Sequence, residues 1–289
     1  MIPRPVDRLS GLLERFKVRA RLFNNGPLCG VSQFPAVPGR GFLHVMRRGK
    51  MELRHGVKTD LPRKLVITEP TLLFYPRPMP HEFRNPPVDG SDYVCAELDF
   101  EGGDRNPVVR ALPPLIVLPL ARIDGLEQAL GLLFSETERL RCGQRLLADR
   151  LFEVVLIQLL RWLIDHPTEA AIPRGLLTGL EDARISRALV AIHEQPGAPW
   201  TLASMAAEAG MSRSAFAVAF KNAVGQPPAD YLADWRISLA QGQLRMGRQV
   251  KQIADELGYA SAPALSRLFT QRTGCSPRHW LEINAGQEP

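Results

Sequence analysis

One stretch of this sequence is written twice. Thr201–Leu232 reads TLASMAAEAGMSRSAFAVAFKNAVGQPPADYL, and Val250–Leu281 reads VKQIADELGYASAPALSRLFTQRTGCSPRHWL. Phe220 and Phe269, Gly225 and Gly274, Pro228 and Pro277, Tyr231 and Trp280, and Leu232 and Leu281 all pair at an offset of 49 residues. A repeat of this length constrains the architecture more than composition does, because each copy must be one folding unit. The copies read as helix, tight turn, helix. Thr201 is placed to cap a helix carrying Leu202, Met205, Ala206 and Ala209 at helical spacing. Gly210 takes the left-handed turn position, Ser212 caps a second helix, and Phe216, Ala219 and Phe220 form its inward stripe. The second copy repeats the plan with Val250, Ile253, Ala254 and Leu257, then Gly258, then Ser261, with Pro263 in the first turn and Leu265, Leu268 and Phe269 inward. Such a unit offers its second helix to a DNA major groove.

Ala229–Met246 joins the copies, with Leu232, Trp235, Leu239 and Leu244 as an apolar stripe. As one helix of 18 residues it spans about 27 Å, close to the ~34 Å between successive major-groove faces. On these residues the region from about Ile185 to Leu281 resembles the DNA-binding domain of the AraC family of bacterial transcription regulators. The resemblance is carried by PWTLASMAAEAGMSRSAFAVAF and QIADELGYASAPALSRLFTQRTGCSP. It implies two helix-turn-helix subdomains on a long helix, binding to double-stranded promoter DNA, and contact with RNA polymerase. It does not imply an enzyme.

Removing the inward residues leaves Ser212, Arg213, Ser214, Ala217, Val218 and Lys221 outward on the first reading helix, and Ser261, Ala262, Pro263, Ser266, Arg267 and Thr270 on the second. Arg213 and Lys221 suit phosphates, which position without specifying. Ala217 and Val218 stand where the family commonly has polar or basic residues. They cannot hydrogen-bond base edges, but they can pack on a thymine methyl. Arg267 is the best candidate for a bidentate contact to guanine. Charge does not carry the DNA reading. The chain is +6 overall, but residues 1–120 hold 18 Lys+Arg against 12 Asp+Glu, whereas residues 181–289 hold 11 against 10.

The remainder has a different texture. Residues 1–20 suggest a short amphipathic helix with Leu9, Leu12, Leu13 and Phe16 on one face. No secretory apolar run follows, and no 18-residue apolar span occurs, so a cytoplasmic, nucleoid-associated protein with no membrane partner is expected. From Ala20 to about Leu120, short apolar runs alternate with Gly, Pro and Asn breaks, which reads as antiparallel strands in a small barrel or jelly roll. The stretch resembles the cupin-like sensor domain found at the N-terminus of many AraC-family regulators. The matching features are LCG at Leu28–Gly30, the His44 strand, YPRPMPHEFRN at Tyr75–Asn85, and YVCAELDF around Cys95. The His-x-His pair of metal-binding cupins is absent, because Val45 and Met46 follow His44. His81 survives, with Asn85 four residues on.

Cys29, His44, His81 and Cys95 could converge inside such a barrel, and three readings of them stand side by side. They are ordinary core residues; or Cys29 and Cys95 are redox-active thiols, as in the regulators of the resembling subgroup thought to sense reactive oxidants; or the four bind Zn²⁺, or the barrel takes a small-molecule effector. No cofactor is required by the sequence. The rival class is a cupin-type metalloenzyme fused to a DNA-binding domain. Cys142, Cys275, His55, His166, His193 and His279 have no context that singles them out.

Residues 121–172 turn helical. Ile123, Leu126, Ala129, Leu130 and Leu133 line one face, and Gln144–His166 is apolar over much of its circumference. In similar regulators this pair carries dimerisation, so a homodimer is expected. The predicted architecture is therefore α+β and multidomain: a cupin-like antiparallel barrel at 1–120, a helical dimerisation hairpin at 121–172, a linker at 173–182 marked by Pro173, Gly175 and Gly179, and an all-α double helix-turn-helix domain at 183–285.

Overall fold

The structure, a computed structural model, describes residues 6–28, 30–56, 59–85, 91–138 and 141–284. In chain order the elements begin α1 (Ser10–Arg15), β1 (Val18–Leu28), β2 (Gly30–Phe34), β3 (Arg40–Arg48), β4 (Met51–His55), β5 (Lys64–Ile67), β6 (Thr71–Tyr75), β7 (His81–Asn85) and β8 (Ser91–Phe100). They continue α2 (Pro107–Arg110), β9 (Ile116–Pro119), α3 (Leu126–Thr137), α4 (Gln144–Asp165), α5 (Leu176–Glu181) and α6 (Ile185–Glu194). The repeat region follows as α7 (Leu202–Glu208), α8 (Arg213–Val224), α9 (Pro228–Arg245), α10 (Val250–Glu256), α11 (Ala262–Thr273) and α12 (Pro277–Asn284). They divide into two compact units.

The first unit holds Val18–Asp104 and Leu112–Ala171. Among the described residues its strands form two antiparallel sheets, ordered β1-β8-β3-β6-β9 and β2-β7-β4-β5. This is the antiparallel double-sheet plan that the short apolar runs predict. β3 and β6 are central and buried on both faces, so they read as continuous apolar runs rather than alternating ones. One face of the large sheet contributes Phe42, Met46, Leu73, Tyr75, Tyr93 and Cys95 to an interior shared with Phe34, Leu53 and Phe83 of the small sheet. β1 is an edge strand whose free amides find partners in α4. Asp149 accepts from the Leu22 amide at 2.6 Å and Glu153 from the Ala20 amide at 3.4 Å. Capping an edge with helix carboxylates satisfies its backbone and blocks further strand pairing. α3 and α4 pack as the predicted hairpin, burying Leu126, Leu130, Leu133, Leu151, Val155 and Leu159. Leu132, Leu146, Leu147 and Val154 remain exposed on it.

The second unit holds Ile172 onward together with Arg105–Ala111 and the described residues up to Lys17. The sequence reading gives all of 1–120 to the barrel, whereas by packing the described residues up to Lys17 and Arg105–Ala111 fall in this second unit. The reason is the apolar face of α1. Leu9, Leu12 and Phe16 are buried, Phe16 meets Trp235 edge-on at 5.1 Å, and Arg15 donates to the Glu194 carbonyl at the end of α6. Arg105 likewise belongs here, with its guanidinium 5.1 Å from the Trp280 ring and a 2.7 Å hydrogen bond to Asn284. The expected linker at 173–182 is also corrected, because it contains α5, whose Leu176, Leu177 and Leu180 are buried. Gly179 is not a chain break. It lies inside α5, where a Cβ would collide with Val224 and Leu189. Thr178 fastens α5 to the end of α8 by donating to the Ala223 carbonyl at 2.7 Å.

The repeat folds as the sequence predicts. Thr201 caps α7 in a capping box with Ser204. Ser212 and Ser261 cap α8 and α11, each accepting an amide at 3.3 Å, and Gly225 and Gly274 close them at left-handed φ of 85° and 81°. α9 is a single helix of 18 residues with Leu232, Trp235, Leu239 and Leu244 buried. Phe216 and Phe220 in the first motif, and Leu265 and Phe269 in the second, are buried to 1% exposure or less. The copies differ in the length of the turn between their helices. α7 and α10 start 48 residues apart, whereas α8 and α11 start 49 apart. The Met211 and Tyr259 amides bond the equivalent carbonyls of Ala206 and Ala254, so the extra residue in the second turn is Ala260.

Candidate nucleic-acid interface and barrel interior

With Phe216 and Phe220 turned inward, α8 leaves Ser212, Arg213, Ser214, Val218 and Lys221 exposed and Ala217 half-buried. α11 leaves Ser261, Pro263, Arg267 and Thr270 exposed, with Ala262 and Ser266 half-buried. The offset superposes Val218 on Arg267 and Ala217 on Ser266, so the two faces present opposite chemistry from one scaffold. Val218 is 63% exposed, a bare branched side chain at the centre of α8. Reading the sequence passed over Asn222 and Gln271, which occupy equivalent exposed positions and whose amides can both donate and accept. Arg272 is a cation of another kind. It is tied to Asp230 at 2.6 Å and Asp234 at 3.3 Å, and so anchors α11 to α9.

Inside the first unit, strand register brings chemistry together. His44 on β3 lies opposite Cys95 on β8, and His55 on β4 lies opposite His81 on β7. His44 and His81 meet through their Nε2 atoms at 2.9 Å. The Met79 carbonyl can only accept, so His81 Nδ1, at 2.8 Å from it, carries the proton and its Nε2 is an acceptor. His44 Nε2 therefore donates, leaving His44 Nδ1 as a buried acceptor with no partner among the described residues. The same logic at His55 has Nδ1 donating to the Pro62 carbonyl and Nε2 accepting from the Tyr75 hydroxyl at 2.8 Å. Tyr93 donates to Asn85 Oδ1 at 2.8 Å, and Asn85 Nδ2 is left a buried donor without a partner among the described residues. Phe34, Phe42, Phe83 and Tyr75 pack around this pair of histidines with ring centroids 4.1 to 6.2 Å apart.

Burial sets the electrostatics. It holds the His44 imidazole well below its usual pKa, with His81 adding to the effect, and pushes His81 down to about 4. Burial raises the Cys95 thiol, the reverse of what a reactive thiolate requires. Cys29 lies outside the described residues. Among the described residues no three His, Cys, Asp or Glu side chains converge as a cation site, and Cys142 and Cys275 are free and at least partly exposed. Sequence reasoning missed His55, Tyr75 and Tyr93, whose placement depends on pairing across strands. The C-terminal unit has its own buried imidazole. His193 is stacked on Trp235 at 4.0 Å and 2.6 Å from the Tyr231 hydroxyl, and burial lowers its pKa to about 3. No helix among the described residues is long and apolar enough to cross a membrane.

Residues 7–165 match the family described as Cupin, and residues 205–283 match one described as Helix-turn-helix domain. The HTH-type transcriptional regulator AlkR of Acinetobacter baylyi is 34% identical over 65% of this chain and 62% of its own length. A putative AraC-like transcription regulator of Streptomyces lividans is 36% identical over 65% of this chain and 63% of its own. The RCS-specific HTH-type transcriptional activator RclR of Escherichia coli is 25% identical over 96% of this chain and 98% of its own. The chain thus spans under two thirds of the first two relatives and nearly all of the third.

Proposed function

From the premise that this chain belongs to the AraC family of helix-turn-helix regulators with an N-terminal cupin domain, we propose that it is a sequence-specific, DNA-binding transcription regulator. The observation that carries this is the pair of capped, glycine-turned motifs on α9, each presenting an exposed second-helix face. α8 enters one major groove through Ser212, Arg213, Ser214, Ala217, Val218 and Lys221. α11 enters the next through Ser261, Ala262, Pro263, Ser266, Arg267 and Thr270. The first reads shape and thymine methyls, the second hydrogen-bonding edges. Selection of bound duplexes from a random-sequence library tests it. Recovery of a two-part site with a guanine in the part protected by α11 supports the reading. Binding with no sequence preference overturns it.

The barrel supplies the signal, and its geometry favours a small-molecule effector over thiol oxidation. Among the described residues His44 Nδ1 is a buried acceptor and Asn85 Nδ2 a buried donor, each without a partner, and a small molecule with complementary groups would satisfy such atoms. Cys95 is buried with its thiol held protonated. The oxidant reading keeps one supporting observation, the name of the RclR relative. Mass analysis of the thiols before and after mild hypochlorite, with metal analysis of the same sample, separates the versions. Modified Cys29 or Cys95 sinks the effector reading, and stoichiometric metal revives the metalloenzyme alternative. The exposed Leu132, Leu147 and Val154 on the α3–α4 hairpin support a homodimer. Promoter-bound contact with RNA polymerase is part of the same proposal.

A further inference from the structure

α9 joins the two motifs covalently, but a single strut leaves the angle between its two loads free to turn at the ends. A second joint stands at its middle. Arg236 on α9 donates from Nε to the Pro196 carbonyl at 2.7 Å and from Nη2 to the Ala198 carbonyl at 2.9 Å. Those carbonyls belong to the segment that leads into α7, the first helix of the first motif. The same guanidinium lies 5.4 Å from the centroid of Tyr259, in the turn of the second motif. Above it the two motifs touch backbone to backbone. A Cβ at Gly197 would overlap the Glu256 carbonyl oxygen, and a Cβ at Gly258 would overlap the Gly197 carbonyl. Gly258 also has a left-handed φ of 74°, so both the turn and the close approach select glycine. The turn it occupies is the one lengthened by Ala260. Gln243 and Arg248 then hold Glu256, at the end of α10, against the C-terminal end of α9.

We propose that Arg236 is a positioning residue for DNA recognition: it locks the glycine seam between the motifs and thereby fixes the separation of the two base-pair blocks the chain accepts. The guanidinium suits this role because its planar fork serves two carbonyls while its face lies over a ring, which an ammonium cannot do. Arg236 touches no base in this scheme and acts only through the placement of α8 and α11. The inference rests on the reading of those two helices as groove readers.

The test uses the full chain and a site selected from a random-sequence duplex library, rebuilt with its two blocks moved apart or together by one to three base pairs. The wild type should bind best at one spacing, near one helical turn of about 10–10.5 base pairs, and fall about tenfold with a shift of two. Arg236→Ala and Arg236→Lys should flatten that profile while binding to a duplex holding only the α11 block stays within about twofold of wild type, because neither helix face has changed. Gly197→Ala wedges the same seam without touching Arg236 and should displace or flatten the optimum, so the test survives if Arg236→Ala fails to fold. An unchanged, sharp optimum in folded Arg236→Ala and Gly197→Ala protein overturns the inference and leaves the two-groove reading standing. A wild type indifferent to spacing overturns the two-groove reading itself.

Discussion

The two helix-turn-helix motifs share a skeleton and differ in what they show to solvent. The serine caps and closing glycines of α8 and α11 are equivalent, as are the buried Phe220 and Phe269. Yet Val218 stands where the other copy has Arg267, and the second turn carries an extra residue that the first lacks. The skeleton is held by burial and hydrogen bonds that any reading helix needs. The outward positions carry none of that burden, so they can diverge fully. The comparison separates residues that make a helix from residues that make it read.

The largest expected effects should therefore be equal across the copies. Phe220→Ala and Phe269→Ala each empty a fully buried site and should cost about 3–5 kcal/mol, measured by urea unfolding followed through tryptophan fluorescence. Markedly unequal losses would mean that the motifs are not one scaffold used twice. Acid should then break the symmetry. His193 packs in the first half, and its folded pKa of about 3 lies below the ordinary 6.5. The unfolded chain binds a proton that the folded chain refuses, so this contribution is complete above about pH 6.5 and falls as pH drops toward 3. Amides of α6 and α8 should lose hydrogen-exchange protection between pH 7 and 5 more than those of α11, and His193→Leu should remove the difference.

Chemistry on the outward faces gives the next effect. Arg267→Ala should weaken specific binding by about 1–3 kcal/mol and relax base preference at one position, whereas Val218→Ala should cost at most about 1 kcal/mol, both read by fluorescence anisotropy on the selected duplex. Equal losses would erase the proposed division of labour. Smallest are the caps. Ser212→Ala and Ser261→Ala should each destabilise by about 0.5–2 kcal/mol in thermal unfolding, and by similar amounts in the two copies.

What could be read in advance follows the range of the interactions. Caps, turns and the stripe on α9 are set within a few residues, so Thr201, Ser212, Gly225 and Leu239 announced themselves. The His44–His81 pair was half visible, because a cupin-like pattern pointed at both, but their meeting depends on which strands pair. His55 and Tyr75 were invisible for the same reason. The misread linker is instructive. Gly179 looked like a break, yet its small size is what lets α5 approach Val224 and Leu189. The boundary at residue 17 went unseen because α1 packs on residues almost two hundred positions away, and no local pattern encodes its partner. Arg236 is a similar case. Its partners are carbonyls 38 and 40 residues back, which leave no trace in side-chain sequence.

That long reach of α1 has a consequence for how the chain is made. Arg8 and Arg15 bond carbonyls 172 and 179 residues further on, and Phe16 waits for Trp235. At a synthesis rate of about 5–20 residues per second, the apolar face of α1 leaves the ribosome roughly ten to forty seconds before its cover exists. The strands of the first unit, by contrast, close on neighbours made within the same hundred residues. Nascent chains should therefore pass through a stage with a finished double sheet and an orphaned leading helix, a ready handle for a chaperone and a point where a stalled product sticks.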